Sequence, residues 1–576
     1  MRGQNEFAGG KPYRLVALAL LALTAPGTIL AANAKISKDI GERDPEATVD
    51  VIIQYRQVPT EVNHQKVNAK GGVYKRDLSM IKAGHYSVPA GSLEALANDP
   101  DVEFIHPDRA VRSTGYSGKL DYGWMIVTGL ASRDANLPYE GTGIGVAIID
   151  SGMNDNREFS NPSGKSRIVY QKSFVAADPN WAGDAFGHGD HVTGIVAGRG
   201  SESTGPEFTY KVRGIAPNVN IVNLRALDAS GAGTDSSVIA AIQQAIKVKS
   251  TYNIRVMNLS LGRPVSMSYA RDPLCQAVEQ AWKAGIVVVV SAGNEGRNNS
   301  ANTQGYATIT APGNDPYVIT VGAMNTNGTL DRDDDKLTSY SSKGPTLFDH
   351  IAKPDLVAPG NQIASRRSFT EYLDKNYASN RVPTTAYASG SYDPDYFQLS
   401  GTSMAAPMVS GAAAVLIQKN PRMTPDQVKA LLMKTANKHF PAISVVTDPV
   451  TYVTYTIWTD LFSVGAGTAD LAAALQNTDA LPAGAALSPA VTRNPSTGVV
   501  SLVTGSNVVW GSNVVWGSNV VWGSNVVWGS NVVWGSNVVW GSSYMQGFNV
   551  VWGSNVVWGS GNVGGESATV GVTGEN

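Results

Sequence analysis

Three short segments carry residues that together can activate a hydroxyl for attack on a carbonyl. AIIDSG closes an apolar run at Asp150. GHGDHVTGIVAG sets His188 and His191 ahead of an apolar, helix-like stretch. LSGTSMAAPMVSGAAAVLI sets Ser403 at the start of a long run of small and apolar residues. A serine hydroxyl is a weak nucleophile until a base takes its proton. An imidazole does this near neutral pH, and a buried carboxylate fixes the tautomer and stabilises the imidazolium. Singly, each residue has a plain structural explanation: a turn aspartate, a capping histidine, a hydroxyl near a helix start. Together they are the parts of nucleophilic acyl transfer. A fourth segment, SAGNEG, puts Asn294 just past a valine-rich run. Its amide, with the backbone N–H of Ser403, is suited to donate to a tetrahedral oxyanion.

Such groups need strand ends and helix starts to hold them. GVAIID (145–150), VNIVNLRAL (219–227), IRVMNLSL (254–261) and IVVVVSAGN (286–294) read as buried strands. SSVIAAIQQAIKVK (236–249) and DPLCQAVEQAWKAG (272–285) read as helices between them. The alternation predicts an α/β region over 113–477, a doubly wound, mostly parallel sheet covered on both faces. Functional groups in such sheets gather at the carboxyl ends of strands, where Asp150 and Asn294 fall. Ahead of it, ATVDVIIQY (47–55), GSLEALAND (91–99) and DVEFIHP (101–107) predict a small α+β unit within 35–112. Its polar start, 35–47, reads as a linker, and its core is marginal by itself.

The carboxyl end has a different character. Residues 478–504 read as a linker, 505–560 as repeats of GSNVVW, and 561–576 as a short tail. The repeat spaces Trp510, Trp516, Trp522, Trp528, Trp534 and Trp540 six apart, and no charged side chain occurs in 501–560. An even period puts every tryptophan on one face of a strand, whereas six helical steps of about 100° scatter them. The expectation is a strand-turn array or β-solenoid with Gly-Ser-Asn at the turns; the alternative is disordered low-complexity sequence.

The first 34 residues have the form of an export signal. Arg2, Lys11 and Arg14 accompany LVALALLALTA (15–25), and Ala32-Asn33-Ala34 offers a cleavage site. The apolar run is too short to cross about 30 Å of hydrocarbon. Lys plus Arg is 45 and Asp plus Glu is 47, for a net charge of -2, which argues against a strongly basic nucleic-acid binder. The single cysteine, Cys275, excludes an internal disulfide and reads as a helix core residue. The expected location is outside the cell, with the repeats as a candidate for self-association or cell-surface attachment.

The motifs AIIDSGM, GHGDHVTGIVAG, GIAPNVNIVNLRAL, MNLSLG, VVVVSAGNEG, KPDLVAPG and SGTSMAAP, in this order, resemble those of the subtilisin-like serine proteases. The resemblance implies a triad of Asp150, His188 and Ser403 with Asn294 as oxyanion donor. His188, first of the H-G-x-H pair, aligns with the base, and His191 does not. Position 190 departs, since the family often has Thr or Ser where Asp190 stands. The expectation is that Asp190 faces solvent; the alternative is that it favours the protonated base. The resemblance also implies two backbone edges that pair an extended substrate, Ser260-Leu261-Gly262 and Gly231-Ala232-Gly233. Ser291-Ala292-Gly293 would wall the first specificity pocket. The Tyr-rich stretch between Gly360 and Ser403 is open between an insertion shaping the cleft and a surface loop.

Residues 35–112 resemble the inhibitor-like prodomain of secreted subtilases, which assists folding, occupies the active site through its carboxyl tail, and is cut. The implied partners are protein or peptide substrates and this prodomain. No cofactor is implied for catalysis. Relatives hold structural calcium, and Asp331, Asp333, Asp334 and Asp335 are candidate ligands against the reading of a solvated charge run. Zinc chemistry is not indicated, because H-E-x-x-H is missing. The expected function is a secreted serine endopeptidase acting through an acyl-enzyme and made as a self-processing zymogen. An esterase would call for a G-x-S-x-G elbow, and a non-catalytic surface protein would not need all four groups.

Overall fold

The computed structural model describes residues 33–503 apart from 38–39, 41–43, 109, 113–120, 122, 131–136, 301–302, 391, 449–451, 482 and 494–499, with four backbone strands between 514 and 535. Nearly all of the export signal, the chain just after residue 112 and most of the repeat lie outside the described residues.

A small α+β unit comes first. It comprises β1 (Thr48–Tyr55), α1 (Glu61–Asn68), β2 (Val73–Leu78), β3 (Ala83–Pro89), α2 (Leu93–Ala97) and β4 (Val102–Pro107). Its antiparallel sheet has the order β2-β3-β1-β4. Alternation along β1 puts Val49, Val51 and Ile53 with Val88, Leu96 and Ile105 in the unit's own core. Ile52 points the other way and joins Leu78, Ile81 and Ala83 in the main core of the molecule. Part of the stretch that reads as a linker is built in. Ser37 N–H donates to Ile105 (3.0 Å), Ile105 N–H donates to Lys35 (2.8 Å), and Ile40 is buried. After β4 a short strand, β5 (Ala110–Arg112), leaves the unit.

The α/β region begins with α3 (Gly123–Thr128), β6 (Gly145–Asp150), β7 (Ile168–Ser173), α4 (His188–Ala197), β8 (Asn220–Arg225) and β9 (Ala232–Thr234). It continues with α5 (Asp235–Tyr252), β10 (Ile254–Leu259), α6 (Pro273–Lys283), β11 (Val287–Ser291), β12 (Ile319–Asn325), β13 (Lys336–Leu337) and β14 (Leu356–Pro359). The sheet order is β13-β12-β11-β10-β6-β8-β7, with β14 also on β12. Only the β12–β13 pair is antiparallel. Strands covered on both faces are apolar throughout rather than alternating, so every residue of β6 and β11 is buried. Next come β15 (Ile363–Arg366), α7 (Tyr372–Asn376), β16 (Tyr396–Leu399), α8 (Thr402–Lys419) and α9 (Pro425–Thr435). Residues 402–417 of α8 are all buried, because their small side chains let the helix lie directly on β10, β11 and β12.

The small unit docks on α5 and α6. Gln54 Nε2 donates to Gln276 (2.6 Å), Gln243 Nε2 to Asp77 (3.0 Å), and Arg76 to the Phe174 carbonyl (2.9 Å).

A second departure concerns residues 478–504, expected to be a linker. Residues 486–493 are packed on the α/β region: Ala352 N–H donates to Pro489, and Val491 N–H to His350. Ser488 donates to Asp355, which also meets Lys353 (2.6 Å) and Lys429 (3.2 Å), all three fully buried. Burial opposes the charge on Asp355, but the two ammonium groups win and hold its carboxyl below the usual range. Removing one member of a buried ion cluster strands the others. Asp355→Ala is therefore expected to cost about 3–5 kcal/mol of stability, read as a lower denaturant midpoint.

Within the repeat, Val514–Trp516 pairs antiparallel with Val520–Trp522, and Asn525–Trp528 with Val532–Gly535. No helix among the described residues is long and apolar enough to cross a membrane.

Candidate active site

Asp150 ends β6 in the middle of the sheet, where the strand opens into a turn. His188 is the first residue of α4, and the two meet with Nδ1 to Oδ1 at 2.7 Å, both buried. This approach needs Gly189: a Cβ there would sit 2.0 Å from the Gly152 carbonyl oxygen. The glycine of H-G-x-H thus lets the helix lie against the turn that follows Asp150. His188 Nε2 and Asp150 Oδ2 are buried with no hydrogen-bond partner among the described residues. His191 serves another purpose. Its Nε2–H faces the Ile363 and Phe397 carbonyls, each at 3.0 Å, and burial pushes its pKa down to about 3. A neutral imidazole thus ties α4 to β15 and β16.

Ser403 stands in the first turn of α8, which packs against α4. Its hydroxyl donates to the Ser260 carbonyl at 3.2 Å. Pro407, four residues on, has no N–H to give the Ser403 carbonyl. The Ser260 hydroxyl fills that place at 2.8 Å, and Asn258 Nδ2 in turn donates to Ser260 Oγ at 2.9 Å. Ser403 and the strand edge are therefore joined by two hydrogen bonds of opposite sense.

Asn294 follows β11. Its side-chain oxygen accepts from Thr402 N–H (2.9 Å) and the Thr402 hydroxyl (3.1 Å). These two bonds fix which way the amide is turned and set Nδ2 beside Gly401, 3.2 Å from where a Cβ would be. Gly401 has φ 143, reached without strain only by glycine.

The two predicted edges lie on separate elements. Ser260, Leu261 and Gly262 run on from β10, and Arg263 anchors them by a buried fork to Asp235 (2.7 Å) and Asp272 (2.8 Å) at the starts of α5 and α6. Gly231, Ala232 and Gly233 lead into β9, and β5 pairs antiparallel on them: Ala110 opposite Thr234, Val111 opposite Gly233, Arg112 opposite Ala232. Asp108, just before, accepts the Ser236 N–H (2.6 Å) at the start of α5. Ser291, Ala292 and Gly293 are joined to both neighbours. Ser291 Oγ donates to Leu261 (3.4 Å), and Gly293 N–H donates to Thr402 Oγ1 (3.1 Å).

Several residues escape a sequence reading. The stretch after Gly360 is built onto the loop ahead of His188: Leu373 N–H donates to Phe186 (2.9 Å), and Tyr372 stacks on Phe186 at 5.6 Å. Phe186 fills the space a Gly231 side chain would take. Asp190, expected in solvent, is buried. It lies beside buried Asp184, with Asn154 donating to it through both backbone and side chain. A polar residue on the first turn of a helix gives no local sign of this.

The acidic run 331–335 does not converge on one point. Asp335 is buried against Arg332 (2.7 Å), Asp334 accepts from Thr329 (3.0 Å), and Asp333 faces His439 (2.9 Å). A guanidinium on the innermost carboxylate does not suit a cation there. No group of three or more His, Cys, Asp or Glu among the described residues could hold a metal ion. Subtilisins need no catalytic cofactor and commonly bind structural calcium.

Comparison with known proteins agrees with this architecture. A model of the subtilase family matches residues 141–467. The serine protease AprX of Bacillus subtilis is 39% identical over 310 residues, covering 52% of this chain and 62% of AprX. Subtilisin E of the same organism is 30% identical over 389 residues, 67% of this chain and 84% of that one. In fold, the chain is similar to fervidolysin from Fervidobacterium pennivorans, a keratinolytic enzyme related to subtilisin. There the TM-score is 0.55 at 22% identity, over 78% of this chain and 63% of the other. The chain thus spans less than two thirds of AprX and of fervidolysin. With a family match over more than half its length, the chain belongs to the subtilase family of serine peptidases.

Proposed function

We propose that this protein is a secreted serine endopeptidase made as a self-processing zymogen. Residues 1–34 are its export signal, 35–112 its prodomain and 113–477 its peptidase domain. The observation that carries the reading is β5, the carboxyl extension of the small unit, paired on the β9 edge as an extended substrate would be.

In this reading His188 takes the Ser403 hydroxyl proton as Oγ bonds to the substrate carbonyl carbon. Asp150 holds the imidazole tautomer and stabilises the imidazolium. The carbonyl oxygen becomes an oxyanion that Asn294 Nδ2 and the Ser403 N–H receive. His188 then gives its proton to the departing amine, leaving an acyl-enzyme. Water repeats the sequence and frees the acid. Main-chain pairing on both edges binds extended peptides of many sequences. The uncharged repeats lie outside this chemistry, and their strand-forming composition suits self-association or attachment to a surface.

Maturation gives the test. Ser403→Ala, expressed without other proteases, is expected to accumulate as a precursor beginning near Lys35. Wild type should lose the 35–112 region and show a new amino terminus between about Ala110 and Gly118, at or just after the paired strand. The first cut should be independent of protein concentration, because a tethered substrate has a fixed effective concentration. Mass and amino-terminal sequence decide. If Ser403→Ala is cut at the wild-type bond, another enzyme performs the maturation.

A further inference from the structure

Behind the Asp150–His188 pair lies a chain of buried polar groups that the mechanism above does not use. Ser151 Oγ donates to Asp184 Oδ1 at 2.8 Å and accepts the Gly189 N–H at 2.9 Å. Ser151 N–H donates to Asp150 Oδ1 at 2.8 Å. Asp184 also accepts the N–H groups of Phe186 (3.1 Å), Gly187 (2.7 Å) and Asp190 (2.8 Å). The Asp190 carboxylate accepts from Asn154 N–H (2.9 Å) and Asn154 Nδ2 (3.1 Å), and the Ser368 hydroxyl donates to the Asp184 backbone carbonyl (3.4 Å). Both carboxyl groups are essentially inaccessible to solvent, at 0% for Asp184 and 1% for Asp190.

No cation lies within ion-pair distance of either among the described residues. A positive charge acting on Asp190 is Arg366 on β15, itself paired with Asp395 at 3.2 Å. The other titratable groups around the pair are Asp150 at the end of β6 and His188 and His191 on α4 itself. His191 is neutral for the reason given above. Two neighbouring carboxylates out of water with no cation between them resist carrying two negative charges. Burial raises both, and the charge of Asp184 raises Asp190 further.

We propose that Asp190 is a positioning residue for the base: with Asp184 it forms a buried pair that holds one proton, and loss of that proton places a second negative charge behind Asp150 and His188. The inference rests on the reading of His188 as general base. The proton is lost to solvent, with no covalent change. The added charge favours the imidazolium that forms when His188 takes the Ser403 proton. It also favours that imidazolium in the resting enzyme, so the acid limb of activity lies at higher pH than it would without Asp190.

The test compares kcat/KM against pH, from 5 to 10, on a chromogenic peptide for the mature wild type, Asp190→Asn and Asp190→Thr. Threonine is uncharged and close to aspartate in size, so it serves as a second variant should asparagine disturb the fold. Near-UV circular dichroism certifies both. The acid limb is expected to move to lower pH by roughly half to one unit in both variants, the size set by two charges interacting through a partly polar interior. A uniform loss at every pH with the limb unmoved would mean that Asp190 only supports the loop, and would overturn the proposal. A second measurement needs no activity. Potentiometric titration of the Ser403→Ala protein, with and without Asp190→Asn, should show one group fewer between pH 5 and 8. Identical curves would also overturn the proposal. If wild type hydrolyses no peptide, the endopeptidase reading fails, while the titration still decides whether the pair holds its proton.

Discussion

Ser403→Ala is expected to lower kcat for peptide hydrolysis about a million-fold, the scale of loss that deleting this hydroxyl causes in subtilisin itself. Adding His188→Ala or Asp150→Ala should then change little. In the proposed mechanism the three groups act as one unit: with no hydroxyl to deprotonate, the base has nothing to do. The measurement is single-turnover hydrolysis of an activated peptide ester by purified single and triple variants from which an added protease has removed the 35–112 region. What remains in each should come from binding and from the Asn294 and Ser403 N–H donors, which the alanine keeps. A triple variant a hundred-fold slower than Ser403→Ala alone would show that His188 and Asp150 act independently of that serine.

Asn294→Ala is expected to cost about 100–1,000-fold in kcat with little change in KM. The oxyanion exists only past the ground state, so losing its donor leaves substrate binding alone. The structure adds a specific control. The Asn294 oxygen is held by Thr402 N–H and the Thr402 hydroxyl, at 2.9 and 3.1 Å. Thr402→Val removes one of these bonds while leaving the amide in place. Its loss in kcat should be smaller than that of Asn294→Ala and in the same sense, since it loosens the donor rather than deleting it. An Asn294→Ala variant altered in KM alone would remove the residue from the oxyanion role.

The sequence spoke clearly where burial makes long apolar runs. β6 falls on the six residues read as a strand, 145–150, and α5 and α6 lie within two or three residues of the segments read as helices. It spoke less where a residue's surroundings come from far along the chain. Asp190 looks like a surface residue because its partners, Asn154 and Asp184, lie 36 and 6 positions away. Residues 486–493 lack any apolar period, yet they are fixed by Ser488 reaching Asp355, 133 positions back. α1 shows no apolar stripe because only Val67 is buried. The stretch after Gly360 could not be placed from composition, since α7 is one and a half turns long and is held by its contacts with residues 185 and 186.

The crossed hydrogen bonds between Ser260 and Ser403 bear on how this scaffold can change over evolutionary time. Ser260 and Ser403 cannot shift separately, because the Ser403 hydroxyl donates to the Ser260 carbonyl and the Ser260 hydroxyl to the Ser403 carbonyl. In the proposed mechanism a mutation that moved the Ser260 edge to admit a new peptide would also mis-aim the serine. In the proposed reading, change in peptide preference is thereby channelled to the facing edge, where Phe186 fills the space beside Gly231 and stacks on Tyr372. That edge is held by contacts of its own, Tyr372 N–H to Ala185 and Leu373 N–H to Phe186, so lineages built on this architecture should diverge there first while the serine side stays fixed.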